Sequence, residues 1–548
     1  MISKDNIMKH LRELVCVRSV SGTEGERLGA EKLVEIIGRL PYFKANPENL
    51  KQIPLENDYL QRSVVSAFVG SKAPTPRTVV ITGHYDVVGV EEYGHLGGLA
   101  FDMDNLPARL SELSLDDDAK KDLASGKWLF GRGTGDMKYG DALCIETLRY
   151  FTEEEDLGVN LLYLGVPGEE TNSEGMLRAV KILYDLQRDE GLEFIIMIDA
   201  EAYYPDETDP DAIRYIHIGS SGKLMPLFFF CGVGTHAGEL VFNGLDANLM
   251  ASELHRLLHH NSRFCQQGRG KTTPPPACLK MGDLKDSYNI TTPIYAASYY
   301  NLITLDLDVN DLTEKLIALA TEAFENTLKL DGERTDVYEK ITGEKALRKN
   351  YKPKVMLFKD LYRLVKEGYE GDFDAYIRGF TSRLIAEGAE IQDVSIRLFK
   401  EVADRYPDKS PMIVLGFIPP YYPDNYPDDD REETKTLRKA VAAIAEYAEN
   451  TYGEKLRTKD YYMGISDMCY AGLNEDYDYD RLFDNIVGAG DYYQFPAEAM
   501  KGIHIPAIIF GPYSKDLHMC SERVEIPYSF DVLPDLFVRF VKEIGGNN

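Results

Sequence analysis

The chain has 548 residues, 44% hydrophobic and 28% charged, the composition of an ordinary globular protein but too long for one core, so two domains are expected. A formal net charge of −29 disfavours nucleic acid and anionic membrane surfaces as partners, and no run of about 18 apolar residues is present to span a membrane. The seven cysteines, at 16, 144, 231, 265, 278, 469 and 520, never stand in a CxxC spacing and read as cytosolic thiols. Met1-Ile-Ser-Lys-Asp runs straight into an amphipathic segment with no signal-peptide pattern, so a cytoplasmic location is expected. The acids gather at 152–156, 204–211, 424–433 and 474–480, as solvated loops and helix starts.

Ile7, Leu11, Leu14 and Val15 have helical spacing, and Gly22 ends that helix. Thr23 and Glu26 form a capping box for a second helix through about Leu40. Val64–Val69 reads as a strand. Thr78–Val88 is an apolar strand that ends in polar chemistry, with His84 and Asp86 two apart and on one face. An imidazole there can ligate a metal while the carboxylate orients it. Residues 89–127 form a long excursion with a helical, acidic middle. It returns at Trp128 to Gly131-Arg-Gly-Thr-Gly-Asp-Met-Lys138. Glycines at alternate positions permit a tight turn and a close approach, and the single acid, Asp136, can offer one oxygen to each of two cations.

A helix over Ala142–Thr152 leads to the strand Val159–Gly165, which runs into Val166-Pro-Gly-Glu-Glu-Thr-Asn-Ser173. Adjacent glutamates cannot share one direction, so Glu169 and Glu170 can take two roles: one binds metal, the other deprotonates water. The strand Phe194–Asp199 again ends in an acid, with Glu201 two residues on. Counting the strand end Trp128-Leu-Phe130 before Asp136, four successive apolar strands thus deliver His, Asp or Glu at their carboxyl ends, where ligand sites lie in open α/β sheets. The collective pattern points to a hydrolytic di-metal site.

Thr82-Gly-His-Tyr-Asp86, Gly131–Lys138 and Pro167-Gly-Glu-Glu170 resemble the metal and base motifs of the di-zinc metallopeptidase family of peptidase T, carboxypeptidase G, aminoacylase, carnosinase and succinyl-diaminopimelate desuccinylase. The wording between the motifs most resembles the family's arginine-utilisation, RocB-like branch, over nearly the whole chain. The resemblance implies an α/β, zinc-exopeptidase-like catalytic domain with a mixed central sheet between helices, over 1–217 and 419–548. It implies an inserted α+β lid over 218–418, enlarged by helices at 333–408 to which no chemistry is assigned. Within the lid, a strand from Ile218 to Phe230, a helix near Ala247–His259, strands near Ala277–Met281 and Ala297–Leu307, a helix over Asn310–Leu328 and a last strand at Met412–Ile418 are expected. The Pro419–Pro427 tract is the expected hinge back.

By the same resemblance, Asp136 bridges two zinc ions, with cobalt or manganese as other divalent candidates. His84 and Asp199 complete one site; Glu170 and His518, in Leu517-His-Met-Cys-Ser-Glu522, complete the other. Glu201 competes with Asp199, which is favoured because it ends the apolar run. Glu169 is general base and acid, Asp86 steers His84, and His236 of Gly234-Thr-His-Ala-Gly238 donates to the developing oxyanion. Asn289, in Tyr288-Asn-Ile-Thr-Thr-Pro293, and Asp467, in Gly464-Ile-Ser-Asp467, match substrate-binding positions. His95, His217, His255, His259, His260 and His504 read as structural or surface residues. The segment Ser298–Thr304 lacks the arginine that many members use to hold a substrate carboxylate, so exopeptidase specificity does not carry over. The expected activity is hydrolysis of amide bonds in small peptides or N-acyl amino acids, with a homodimer through the lid as a candidate assembly. A binding or regulatory protein on the same fold would have no need of Glu169. A phosphate-binding reading of the Gly131 turn fails because no Gly-Lys-Ser/Thr follows.

Overall fold

β-branched residues crowd positions 78–82 and favour extended chain. In the computed structural model, which describes residues 2–153, 157–203, 213–346, 350–473 and 477–546, this run forms the strand Arg77–His84, buried along nearly its whole length. The acidic run 204–211 lies outside the described residues, as do 154–156 and 474–476 of two others; of the fourth run, 428–433 is exposed. Among the described residues no helix is long and apolar enough to cross a membrane.

The chain divides into two compact units: Met1–Ser221 with Asn425–Glu475 and Pro496–Asn548, and Gly222–Asp424 with Asp476–Phe495. The first is built on an eight-stranded mixed sheet. From edge to edge its strands are Leu50–Pro54, Ser63–Val69, Asn160–Val166, Arg77–His84, Glu193–Asp199, Ala507–Ile509, Arg214–Ser220 and Leu456–Tyr462. The four from Asn160–Val166 to Ala507–Ile509 run parallel. One face packs Val79, Ile81 and Ile198 against Ile7 and Leu11 of the first helix, Leu148 of the helix Lys138–Glu153 and Phe537 of the last helix. The helix Glu174–Glu190, not expected from the sequence, packs on Ser63–Val69 and Asn160–Val166. Burial on both faces explains the unbroken apolar runs of the parallel strands. At the start of the second helix, Thr23 Oγ1 accepts from Gly25 N at 3.1 Å, while Glu26 reaches past the cap to Gly22 N at 2.8 Å.

The second unit has a five-stranded sheet in the order Ala277–Asp283, Tyr295–Thr304, Gly222–Cys231, Met412–Tyr422, Val355–Leu357. The helix Ala247–Leu258 packs on its first three strands. The helix beginning at Val309 continues to Thr342, well past the expected end, and packs on Ala247–Leu258. The unassigned insertion has a packing role. Phe358, Leu361 and Phe399 of the helices Phe358–Glu367 and Ile391–Arg405 join Leu227, Phe229 and Val414 of the sheet in one core. This second helical layer is why the whole run Leu227–Phe230 is apolar and buried.

The expected boundaries cut through strands: 217/218 falls inside Arg214–Ser220 and 418/419 inside Met412–Tyr422. Residues 477–495, expected in the catalytic part, belong to the second unit. There Phe417 N donates to Asn485 O at 3.0 Å, Val487 N donates to Phe417 O at 2.8 Å, and Phe483 packs against Tyr421 and Phe495.

Candidate metal centre

The parallel strands bring their carboxyl ends to one edge of the first unit's sheet, and the chemistry collects there. His84 is the last residue of its strand and is buried. Its Nδ1 lies 3.0 Å from the carbonyl oxygen of Asp86, which can only accept, so Nδ1 carries the proton. Nε2 then faces Asp136 Oδ1 at 3.0 Å and Glu201 Oε2 at 3.1 Å. On the other side of Asp136, Oδ2 lies 3.0 Å from His518 Nε2, which is 3.1 Å from Glu170 Oε2. Asp136 therefore stands between two histidines, each of which faces one further carboxylate.

Local backbone produces this convergence. Gly133 adopts φ +80°, and a Cβ there would meet Val87 Cγ1 at 2.8 Å. A three-stranded sheet pairs Arg523–Glu525 with both Trp128–Phe130 and Ser514–Lys515, which brings the His518 loop to the Asp136 turn. Gly168, at φ +75°, turns the chain after Asn160–Val166 so that Glu169 and Glu170 follow in the site. Asp86 faces His84 Nδ1 with its main-chain carbonyl at 3.0 Å and with its carboxylate Oδ1 at 3.6 Å. That carboxylate also accepts from the amides of Glu169 and Glu170, both at 3.2 Å, and from Ser21 Oγ at 2.6 Å.

Too many acids are enclosed here to ionise together unaided. Desolvation, aided by repulsion from neighbouring acids, raises the carboxyl groups of Glu169, Glu170, Glu201 and Asp467 above the usual range. Desolvation also pushes Asp199 up to about 6. Asp136 is held low against its burial by hydrogen bonds from His518 and His84. Hydrogen bonds to Asp136 and Glu170 push His518 up to about 11. Protons satisfy this cluster poorly. Nε2 of His84 can carry a single proton yet faces two carboxylate oxygens, and Glu170 Oε1 is buried with no hydrogen-bond partner. Imidazole and carboxylate donors so arranged suit a divalent metal.

Of the expected ligands, the fold gathers His84, Asp136, Glu170 and His518, while Asp199 turns elsewhere. Asp199 Oδ2 accepts from Ser466 Oγ at 2.6 Å, and the longer side chain of Glu201, two residues beyond, reaches His84. It is Glu201, and not Asp199, whose carboxylate faces His84. Asp467 is buried close enough to Asp199 and Glu169 to raise their protonation or be raised by them, and its Oδ1 has no hydrogen-bond partner. His236 and Asn289 belong to the second unit, on exposed loops joined by a bridge between His236 and Thr291. There His236 Nδ1 accepts from Gly238 N at 3.1 Å and Asn289 Oδ1 from Thr291 N at 3.0 Å. Sequence reasoning missed Ser466 and Ser21. It saw Glu522 only as the end of the His518 motif and gave Arg132 no role.

A mixed α/β sheet with two histidines and several carboxylates gathered at its strand ends defines a metallohydrolase-like protein. The model of the peptidase family M20/M25/M40 matches residues 98–508, and the chain belongs to that family. Two Bacillus subtilis proteins are similar over almost their full length: the uncharacterized protein YqjN, 32% identical over 97% of this chain and 95% of its own, and the protein RocB, 30% identical over 95% and 92%. Among solved structures, an M20 family metallo-carboxypeptidase from Sulfolobus solfataricus superposes with TM-score 0.52 at 14% identity over 99% of each chain. A tripeptidase from Staphylococcus aureus gives 0.51 at 14% over 100% of each. At such identities the structural likeness concerns the fold.

Proposed function

We propose that this protein is a zinc-dependent hydrolase of amide bonds in small peptides or N-acyl amino acids. The observation that carries the reading is the placement of Asp136 between His84 and His518, each with its own second carboxylate. His84, Asp136 and Glu201 would hold one zinc ion and His518, Asp136 and Glu170 the other; cobalt or manganese would suit the same donors. When bound, the ions would acidify the attacking water and polarise the scissile carbonyl.

Glu169 belongs to neither triad, although its Oε2 is 3.9 Å from His84 Nε2. It would take a proton from the attacking water and deliver it to the leaving nitrogen. The clamp of Asp86 on its amide supports that role by fixing where the side chain starts. His236 would donate to the oxyanion, and Asn289 and Asp467 would contact substrate. The 30% identity to RocB supports placing the reaction in arginine utilisation, and the scattered free cysteines support a cytoplasmic location. The exposed edge strand Ala277–Asp283, with Leu279 and Met281 in water, suits a homodimer through the second unit.

The test is zinc content together with a hydrolysis screen on wild type and Glu169→Gln, using dipeptides and N-acyl amino acids. The expected outcome is two zinc ions in both proteins and a turnover roughly 10²–10⁴-fold lower in the variant. Full zinc with equal turnover in both would remove Glu169 as the base. Full zinc with no turnover of any compound would favour a binding or regulatory protein.

A further inference from the structure

Glu522 lies fully buried behind the Gly131–Asp136 turn, four residues after His518. Its Oε1 accepts from the amides of Gly135 at 3.1 Å and Asp136 at 3.3 Å. Its Oε2 takes Nη1 of Arg132 at 2.5 Å, and its main-chain oxygen accepts from Gly131 N at 3.2 Å. Arg132 is itself buried, donates from Nε to Gly89 O at 3.1 Å, and pairs with Glu92 as well. A single carboxylate from the His518 segment thus grips the backbone on which Asp136 is mounted, and Arg132 of that same turn holds the carboxylate in place. The side chain of Asp136 meets the same segment a second time, at His518.

An extra acid buried close to a cluster of acids is electrostatically unfavourable, and an apolar side chain would fill the space without that cost. What the acid adds is a fixed acceptor for two consecutive amides. Asp86 makes the same kind of contact with the amides of Glu169 and Glu170. The two clamps thus serve three site residues: the shared carboxylate, the second ligand of His518's ion, and the base.

We infer that Glu522, locked by Arg132, is a positioning residue that sets the Asp136 carboxylate between the two histidines before any metal arrives. The inference rests on the reading of Asp136 as a shared ligand. Partners of this kind contribute to metal affinity because they remove the reorganisation that binding would otherwise require.

The experiment uses the full chain stripped with EDTA, then titrated with zinc chloride against a chelating indicator. Wild type, E522Q and the double variant R132M/E522M are compared, each with a melting curve in the metal-free state. The double variant replaces a buried ion pair by apolar side chains of similar length, a change that folds commonly tolerate. Its metal-free melting temperature is expected to fall by a few degrees, because the Gly135 and Asp136 amides lose their acceptor, with zinc affinity lower by about 10–100-fold. In E522Q one amide oxygen cannot serve both the two N–H groups and Arg132, so affinity is expected to fall about tenfold. E522Q decides the matter if the double variant does not fold. Two zinc ions at wild-type affinity in a folded variant would overturn the inference and leave the shared-ligand reading standing. A wild-type chain that takes up no zinc would overturn both.

Discussion

The two units treat their candidate site residues in opposite ways. In the first, His84, Asp136 and Glu201 are buried: Glu522 holds the Asp136 amide from 386 positions away and Glu201 meets His84 across 117 positions, while the nearby Asp86 carbonyl fixes the His84 ring. In the second, His236 and Asn289 are exposed and held only by neighbours within a few residues or across one bridge. Like charges will not gather unless the fold compels them, so a ligand set of acids needs deep support. A group that meets substrate must stay reachable, and a loop suffices. The first unit therefore tolerates little change at its site, whereas the second can lose a functional side chain and remain folded.

The sharpest test of that contrast is His236→Ala. If His236 stabilises charge only in the transition state, turnover should fall roughly 10²–10³-fold. Zinc content and melting temperature should match wild type, because the side chain is exposed and no core residue depends on it. A change in KM with kcat intact would make His236 a substrate-binding group instead.

Within the first unit, the comparison can be broken at one pair of acids. Glu201→Gln should leave the chain with about one tightly held zinc ion instead of two. Asp199→Asn should keep both, with affinity reduced by less than about 100-fold, since Asp199 meets Ser466 and not a histidine. Metal analysis after gel filtration checks both. Two ions in Glu201→Gln and one in Asp199→Asn would restore the assignment that strand position alone suggests.

That pair also marks how far the sequence could be read. Apolar runs ending in His, Asp or Glu announce a parallel sheet and its ligand edge, because strand burial and strand-end chemistry are both local. Asp199 and Glu201 share a strand-like alternation, and nothing local separates them. The decision comes from Ser466, 267 positions away, which captures the shorter side chain. The same reason hid the clamp of Glu522 on the Asp136 turn, whose partners are 386 and 387 positions apart. Residues 477–495 follow this rule too: their backbone pairs with Phe417, and no composition signal indicates which unit they join. The insertion 333–408 was legible as helices, but its purpose became legible only when Phe358 and Phe399 met Phe229 across the sheet.

The smallest expected effect concerns the electrostatic cost of enclosing so many acids. Glu26 is fully buried beside Asp86 and Arg62, and desolvation with repulsion from Asp86 pushes it up to about 8. The folded chain therefore holds this proton more tightly than the unfolded chain, whose glutamate has an ordinary pKa near 4.5. Stability from this group is complete below about pH 4.5 and is lost progressively as pH rises toward 8. Glu26→Gln imitates the protonated acid and keeps an oxygen for the Gly22 amide. The variant should melt with wild type near pH 5 and above it at pH 8–9, by about 2–4 °C, the shift that roughly 1 kcal/mol produces in a domain of 150–250 residues. Melting curves of the metal-free proteins across that range test the point. A variant less stable than wild type at pH 8–9 would mean that the charge of Glu26 supports Arg62 more than its burial opposes folding.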